Sequence, residues 1–217
     1  MGFNRNTNDP NKTLLEELDL FCFGSAKRDF ALMVSGPWGS GKTHLVNRFF
    51  RSKLENLEGG STAPFRPLNI SLYGARSGDD VLQAINIALH PFLSGKSGMW
   101  TGWMVKVIAA LFNRKIPDGL RPPIAASLPY LPYSGAGLGI RKRIIVFDDF
   151  ERASMSPSDL LSMIQSLLGD TGNRIIILAN EDEVGRNEGE KTSYMKVKEK
   201  TVGFTLKIEA DFDSAFN

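Results

Sequence analysis

The sequence predicts an α/β fold in three layers, with a mainly parallel five-stranded sheet covered by helices on both faces. Three observations carry that expectation. Short apolar runs alternate with amphipathic segments along the 217 residues. Runs such as Ile144–Phe147 and Ile175–Ala179 are apolar at every position, the pattern of a strand buried on both faces. The third is a glycine-rich segment, Gly36–Thr43, set between one such run and a helical pattern.

The elements follow in order. Residues 1–11 are rich in Asn and read as a loose arm. Leu14, Leu15, Leu18 and Phe21 recur at helical spacing with Glu16, Glu17 and Asp19 between them, a helix entered through Asn11 or Thr13. Strand 1 is placed at 30–35, and a helix over 42–56 buries Leu45, Val46, Phe49 and Phe50. A Gly59-Gly60-Ser61 break leads to strand 2 at 67–73, and a further helix covers 78–90. Strand 3 is 144–147, followed by a helix over 157–168 with Ser156 as cap and Pro157 in the first turn. Strand 4 is 175–179 and strand 5 is 201–208. Together these make one domain over 1–217.

An insertion at 91–141 interrupts the alternation. Its Met99–Phe112 run contains Lys106 and falls short of the about 20 apolar residues a membrane helix needs. Residues 124–139 carry no charge, but their prolines and glycines oppose a continuous helix. Two readings stay open: a helix plus loop packed on the domain, or a surface at 99–139 that meets a membrane or a partner.

Bulk composition narrows the class. Hydrophobic residues at 42% and charged residues at 23% fit a globular chain with a sizeable core. A net charge of +2 gives no strong nucleic-acid signal. Cys22 is the single cysteine, so no internal disulfide can form and a reducing, cytoplasmic setting is expected. His44 and His90 have no metal-ligand spacing and read as structural or surface residues. The N-terminal residues lack the apolar stretch of a signal peptide.

Residues 36–43 read Gly-Pro-Trp-Gly-Ser-Gly-Lys-Thr, the spacing of a phosphate-binding loop after a buried strand. Glycine lets several backbone N–H groups turn onto one anion, and the helix starting at Lys42 adds its positive end. The nucleotide-contact set is therefore Gly36, Pro37, Trp38, Gly39, Ser40, Gly41, Lys42, Thr43 and the adjoining His44. Lys42 is expected to reach the β- and γ-phosphates, and the Thr43 hydroxyl to bind Mg²⁺.

Such a loop needs an acid on a neighbouring strand tip. Strand 3 ends in Asp148-Asp149-Phe150-Glu151-Arg152. Asp148, the first acid after the apolar run, takes the Mg²⁺ role. Asp149 is placed to polarise an attacking water, with Glu151 as the other general-base candidate. Asn180 ends strand 4 and is expected to face the γ-phosphate. Arg152 could pair with Asp149 or Glu151, or contact a neighbouring subunit. Arg174 begins strand 4 at the far end of the sheet, away from this chain's own nucleotide.

Gly36–Thr43, Leu68–Gly74 and Ile144–Arg152, taken in that order, resemble the KAP-type P-loop NTPases. Those belong to the additional-strand class that includes the AAA+ and STAND ATPases, and the resemblance covers roughly 14–208. It implies sheet order 5-1-4-3-2, Asp148 as the Mg²⁺ acid, Asp149 as the catalytic acid and Asn180 as the first sensor. Members often carry membrane spans where this chain has its 91–141 insertion. Many are bacterial, and relatives act in defence against phage and mobile elements. Related ATPases usually continue past strand 5 into a helical lid bearing a sensor arginine. The resemblance therefore implies a core whose lid or arginine comes from a protein partner, a second copy or a longer product.

The expected function is ATP binding with hydrolysis, as a switch or motor core in a defence or signalling system. Guanine specificity is disfavoured because Asn180–Glu183 does not supply N-K-x-D. Transporter ATPases need a Gly-rich signature helix before the acidic strand, and small-molecule kinases an Arg-rich lid. The alternative is a nucleotide-binding regulatory or scaffold module with little hydrolysis, acting through a partner or a membrane surface.

Overall fold

The structure, a computed structural model, describes residues 10–26, 28–55, 67–89, 143–168, 172–185 and 188–209. The insertion at 91–141 and the Asp-bearing end after 209 lie outside the described residues. Five strands, β1 (Ala31–Ser35), β2 (Leu68–Ser71), β3 (Ile144–Asp148), β4 (Arg174–Ala179) and β5 (Val202–Lys207), form one sheet in the order β2-β3-β4-β1-β5. Every neighbouring pair is parallel. This is the predicted order, read from the other edge.

Helices α1 (Lys12–Phe23) and α2 (Lys42–Glu55) cover one face; α3 (Gly78–Leu89), α4 (Pro157–Ser166) and α5 (Glu188–Thr201) cover the other. Strand side chains alternate between the two, as the pleat demands. On β1, Leu32 and Val34 meet α1 and α2, with Leu18, Phe21, Val46 and Phe49 beneath them. Ala31 and Met33 point the other way, into a core that includes Val81, Ile85, Leu160 and Ile164. Burial on both faces explains why the central strands read as unbroken apolar runs.

Local signals set several boundaries. Ser156 caps α4 by accepting from the Asp159 backbone N–H at 3.2 Å, with Pro157 in the first turn. The helix stops at Ser166, and Leu167 and Leu168 continue as a buried turn. Asn11 precedes α1 but makes no side-chain cap. Instead its amide donates to the Glu209 carbonyl at 2.9 Å and accepts the Glu209 N–H at 3.0 Å, tying the start of α1 to the end of β5.

One element departs from the sequence reading, which placed nothing between Asn180 and residue 201. Helix α5 occupies 188–201 there. Its fully buried residues are only Tyr194 and Thr201, so the apolar period that would announce a helix is nearly absent. Tyr194 anchors it: the hydroxyl donates to Glu181 Oε1 at 3.2 Å and lies 3.7 Å from Met33 Sδ. Burial pushes the Tyr194 phenol well above the tyrosine range, reinforced by the Glu181 charge. Among the described residues no helix is long and apolar enough to cross a membrane.

Candidate functional site

The loop after β1 is held open by backbone geometry. Gly39 and Gly41 have φ of 77° and 83°, and a Cβ at either would stand in open space, so glycine is required by the backbone rather than by crowding. Gly36 is constrained differently. Its N–H donates to the Ala179 carbonyl at 3.1 Å, and a Cβ there would collide with Ile208 Cγ2. The loop is thus seated between the ends of β4 and β5.

Helix α2 begins at Lys42 with no acid of its own in the first turn, so its positive end points into the site. The Lys42 ammonium lies over its own loop, donating to the carbonyls of Gly36 at 2.7 Å and Pro37 at 2.9 Å. Burial lowers its pKa below the lysine value, against the pull of Glu151, Asp148 and Asp149, and Arg152 pushes the same way as burial.

Parallel pairing brings the acids to this loop. Thr43 Oγ1 donates to Asp148 Oδ2 at 2.7 Å, joining the start of α2 to the tip of β3. The other Asp148 oxygen accepts the Asp149 N–H at 2.8 Å. Asp149 has φ 58°, the one left-handed non-glycine among the described residues. Its Oδ2 accepts from Ser71 Oγ at 3.1 Å, and its Oδ1 lies 3.7 Å from Arg152 Nε.

Glu151 spans three elements. Its Oε1 accepts the Trp38 indole N–H at 2.7 Å, and its Oε2 accepts the Asn180 backbone N–H at 3.0 Å. Arg152 lies against two rings, 5.2 Å from the Trp38 centroid and 5.9 Å from that of Tyr73.

A cavity of about 340 Å³ opens between these groups. Trp38, Gly39, Gly41, Lys42, Thr43 and His44 line one side, with Asp148, Asp149, Glu151 and Arg152 opposite. Gly36, Pro37, Ser40 and Asn180 are not among its lining residues. Ser40 braces the loop, its hydroxyl donating to the Pro37 carbonyl at 2.7 Å. Asn180 is buried and meets Glu151 through its backbone. Arg174 lies far from the loop, donating to the carbonyls of Gly24 and Ala26.

The Thr43 hydroxyl and the Asp148 carboxylate, in contact, are the pair that could hold a hard divalent cation; among the described residues no cluster of three or more His, Cys, Asp or Glu is placed to ligate one. Sequence reasoning did not single out Ser71 or Tyr73. The signal was the implied order itself, since a β2 beside β3 must end at the acidic strand's tip.

A parallel sheet with a glycine-rich phosphate loop after β1 and acids at the tip of β3 defines the P-loop NTPase class. Residues 13–116 match the KAP family P-loop domain. The family match supports nucleotide binding. No curated protein matches the chain. Among solved structures it is similar to the Walker-type ATPase PABY2304 of Pyrococcus abyssi, at 16% identity and a TM-score of 0.44. That likeness covers 94% of this chain and 55% of the other, so this chain spans about half of that protein's length.

Proposed function

We propose that this protein binds ATP with Mg²⁺ in the cavity between the loop at 36–43 and the β3 tip, and hydrolyses it as a switch or motor core. The observation that carries the reading is the 2.7 Å contact between Thr43 Oγ1 and Asp148 Oδ2. It joins the loop hydroxyl to the strand acid, the two groups that would hold the cation. Bound Mg²⁺ would neutralise charge developing on the transferred phosphoryl group. Lys42 leaves the carbonyls of Gly36 and Pro37 to reach the β- and γ-phosphates. Gly39 and Gly41 let the backbone N–H groups close on the same anion. Asp149, beside Asp148 at the cavity wall, orients and polarises the attacking water. Asn180 would act as the first sensor from the end of β4. Trp38 and Tyr73, exposed at the rim, offer the surface on which a protein partner or second copy would complete the site. A role in a bacterial defence or signalling system rests on the family's company alone.

A second reading is favoured by one observation. Both oxygens of Glu151 are engaged, by Trp38 and by Asn180, which leaves one general-base candidate rather than two. A site of that kind suits a nucleotide-binding regulatory module with little hydrolysis.

Nucleotide affinity and phosphate release separate the two. For an ATPase, Lys42→Ala weakens ATP binding by about tenfold or more, while Asp149→Asn retains binding and loses about a hundredfold in turnover. Wild-type protein that binds Mg²⁺–ATP with a rate neither substitution changes would establish the regulatory module instead.

A further inference from the structure

Arg152 faces the cavity without being committed to a tight partner. It sits on the 3₁₀ turn Phe150–Arg152, immediately after the β3 acids, and lines the same space as Lys42 and Thr43. Its guanidinium is held by faces rather than edges: the Trp38 and Tyr73 rings lie 5.2 and 5.9 Å from its central carbon. Stacking of this kind fixes the guanidinium while leaving its N–H groups able to donate. The nearest acid, Asp149, is 3.7 Å from Nε, too long for a hydrogen bond, and the Arg152 side chain is 43% exposed. Trp38 belongs to the phosphate loop itself, so the guanidinium rests on the element that grips the phosphates.

We infer that Arg152 is a γ-phosphate-reading residue supplied by this chain, which exchanges its loose pair with Asp149 for the terminal phosphate of a bound nucleoside triphosphate. The inference rests on the nucleotide-binding reading and deepens it. A terminal phosphate carries more charge than one carboxylate and presents oxygens that a guanidinium can bridge in bidentate fashion. The same exchange releases Asp149, whose carboxylate is then held by Ser71 alone and is available to a water. A diphosphate lacks the group Arg152 reads and leaves the Arg152–Asp149 pair in place. Arg152 would thus make the site discriminate between the states before and after hydrolysis.

Titration calorimetry with Mg²⁺ tests this, using ADP and the non-hydrolysable β,γ-imido analogue of ATP on the full chain. The wild type is expected to bind the triphosphate analogue about tenfold more tightly than ADP, and Arg152→Gln to bring that ratio close to one with ADP affinity unchanged. Arg152→Met, which keeps bulk between Trp38 and Tyr73, should behave as Arg152→Gln does. A ratio that survives both substitutions overturns the inference. Equal weakening of both ligands also overturns it, since that would mark Arg152 as a brace for the loop. Lys42→Ala distinguishes the two levels of failure. If the wild type binds both ligands and Lys42→Ala loses both, the nucleotide site stands and the ratio alone decides Arg152. If the wild type binds neither, the nucleotide reading fails, and the inference with it.

Discussion

Trp38 donates its indole N–H to Glu151 Oε1 at 2.7 Å, so the phosphate loop is fastened to the turn that follows the β3 acids. The second Glu151 oxygen accepts the Asn180 N–H at 3.0 Å, extending the tie to the end of β4. A single carboxylate therefore receives donors from two other elements. Glutamine cannot replace it, because the amide has one acceptor atom and its NH₂ would face an N–H. Glu151→Gln is expected to cost about 1 kcal/mol of stability, read as a lower Tm, because one donor loses its partner. An unchanged Tm would show that the tie contributes nothing to the fold.

Asp149 couples backbone strain to chemistry. Its φ of 58° is tolerated by Asp and Asn, whose short polar side chains suit the left-handed region, and disfavours Ala by about 1 kcal/mol. Asp149→Asn keeps an oxygen to accept from Ser71 and removes one of two adjacent negative charges. Its Tm should equal or exceed the wild type's, and Asp149→Ala should melt below both. Calorimetric melts of the three proteins check that order. Asp149→Asn falling below Asp149→Ala would contradict it.

Gly36 makes a contact-based prediction. A methyl at this position meets Ile208 Cγ2 at the end of β5 and the Ser40 hydroxyl within the loop. Gly36→Ala should destabilise by about 1–3 kcal/mol through overpacking. Ile208→Ala removes the obstructing methyl, so the double variant should be more stable than the sum of the single changes predicts. A denaturant-unfolding cycle measures the difference, and strict additivity would place the strain elsewhere.

Much of this arrangement was legible in the sequence, for physical reasons that differ by element. Strands β3 and β4 announced themselves because burial on both faces demands unbroken apolar runs. The loop was legible because glycine at 39 and 41 is required by φ, and Asp148 because it is the first acid after its strand. Helix α5 was not, since it buries little beyond Tyr194 and is held by polar ties from Glu181. The pairing of Arg152 with Asp149 was one of the options the sequence offered, but the ties of Glu151 and the ring contacts of Arg152 were hidden. Their partners Trp38, Tyr73 and Asn180 come from three other parts of the chain and meet only after the sheet has ordered itself.

The tie between Glu181 and α5 is itself testable. Lys198 pairs with the Glu181 carboxylate that also accepts from Tyr194, and both charged side chains are mostly buried. Removing one member strands the other where water reaches it poorly, so Lys198→Met should destabilise by about 1–3 kcal/mol. Glu181→Gln with Lys198→Met together should recover part of that loss. Urea titrations of the singles and the double report it, and a double variant weaker than either single would deny the pairing.

Lys42 gives the site a pH dependence whose direction follows from its burial. The folded chain holds its pKa below the ordinary 10.5, so between the lowered value and 10.5 the unfolded chain binds more protons. Stability should therefore rise with pH through that window and level off above it. Nucleotide affinity should move the opposite way. Phosphate contact requires the ammonium, so binding in this alkaline window must take up a proton, and affinity falls as pH climbs through the lowered value. Calorimetry in two buffers of different ionisation enthalpy measures that uptake directly. Lys42→Arg, which stays charged throughout, should bind without it. Binding with no proton uptake anywhere in the alkaline range would mean that Lys42 does not carry the phosphate contact.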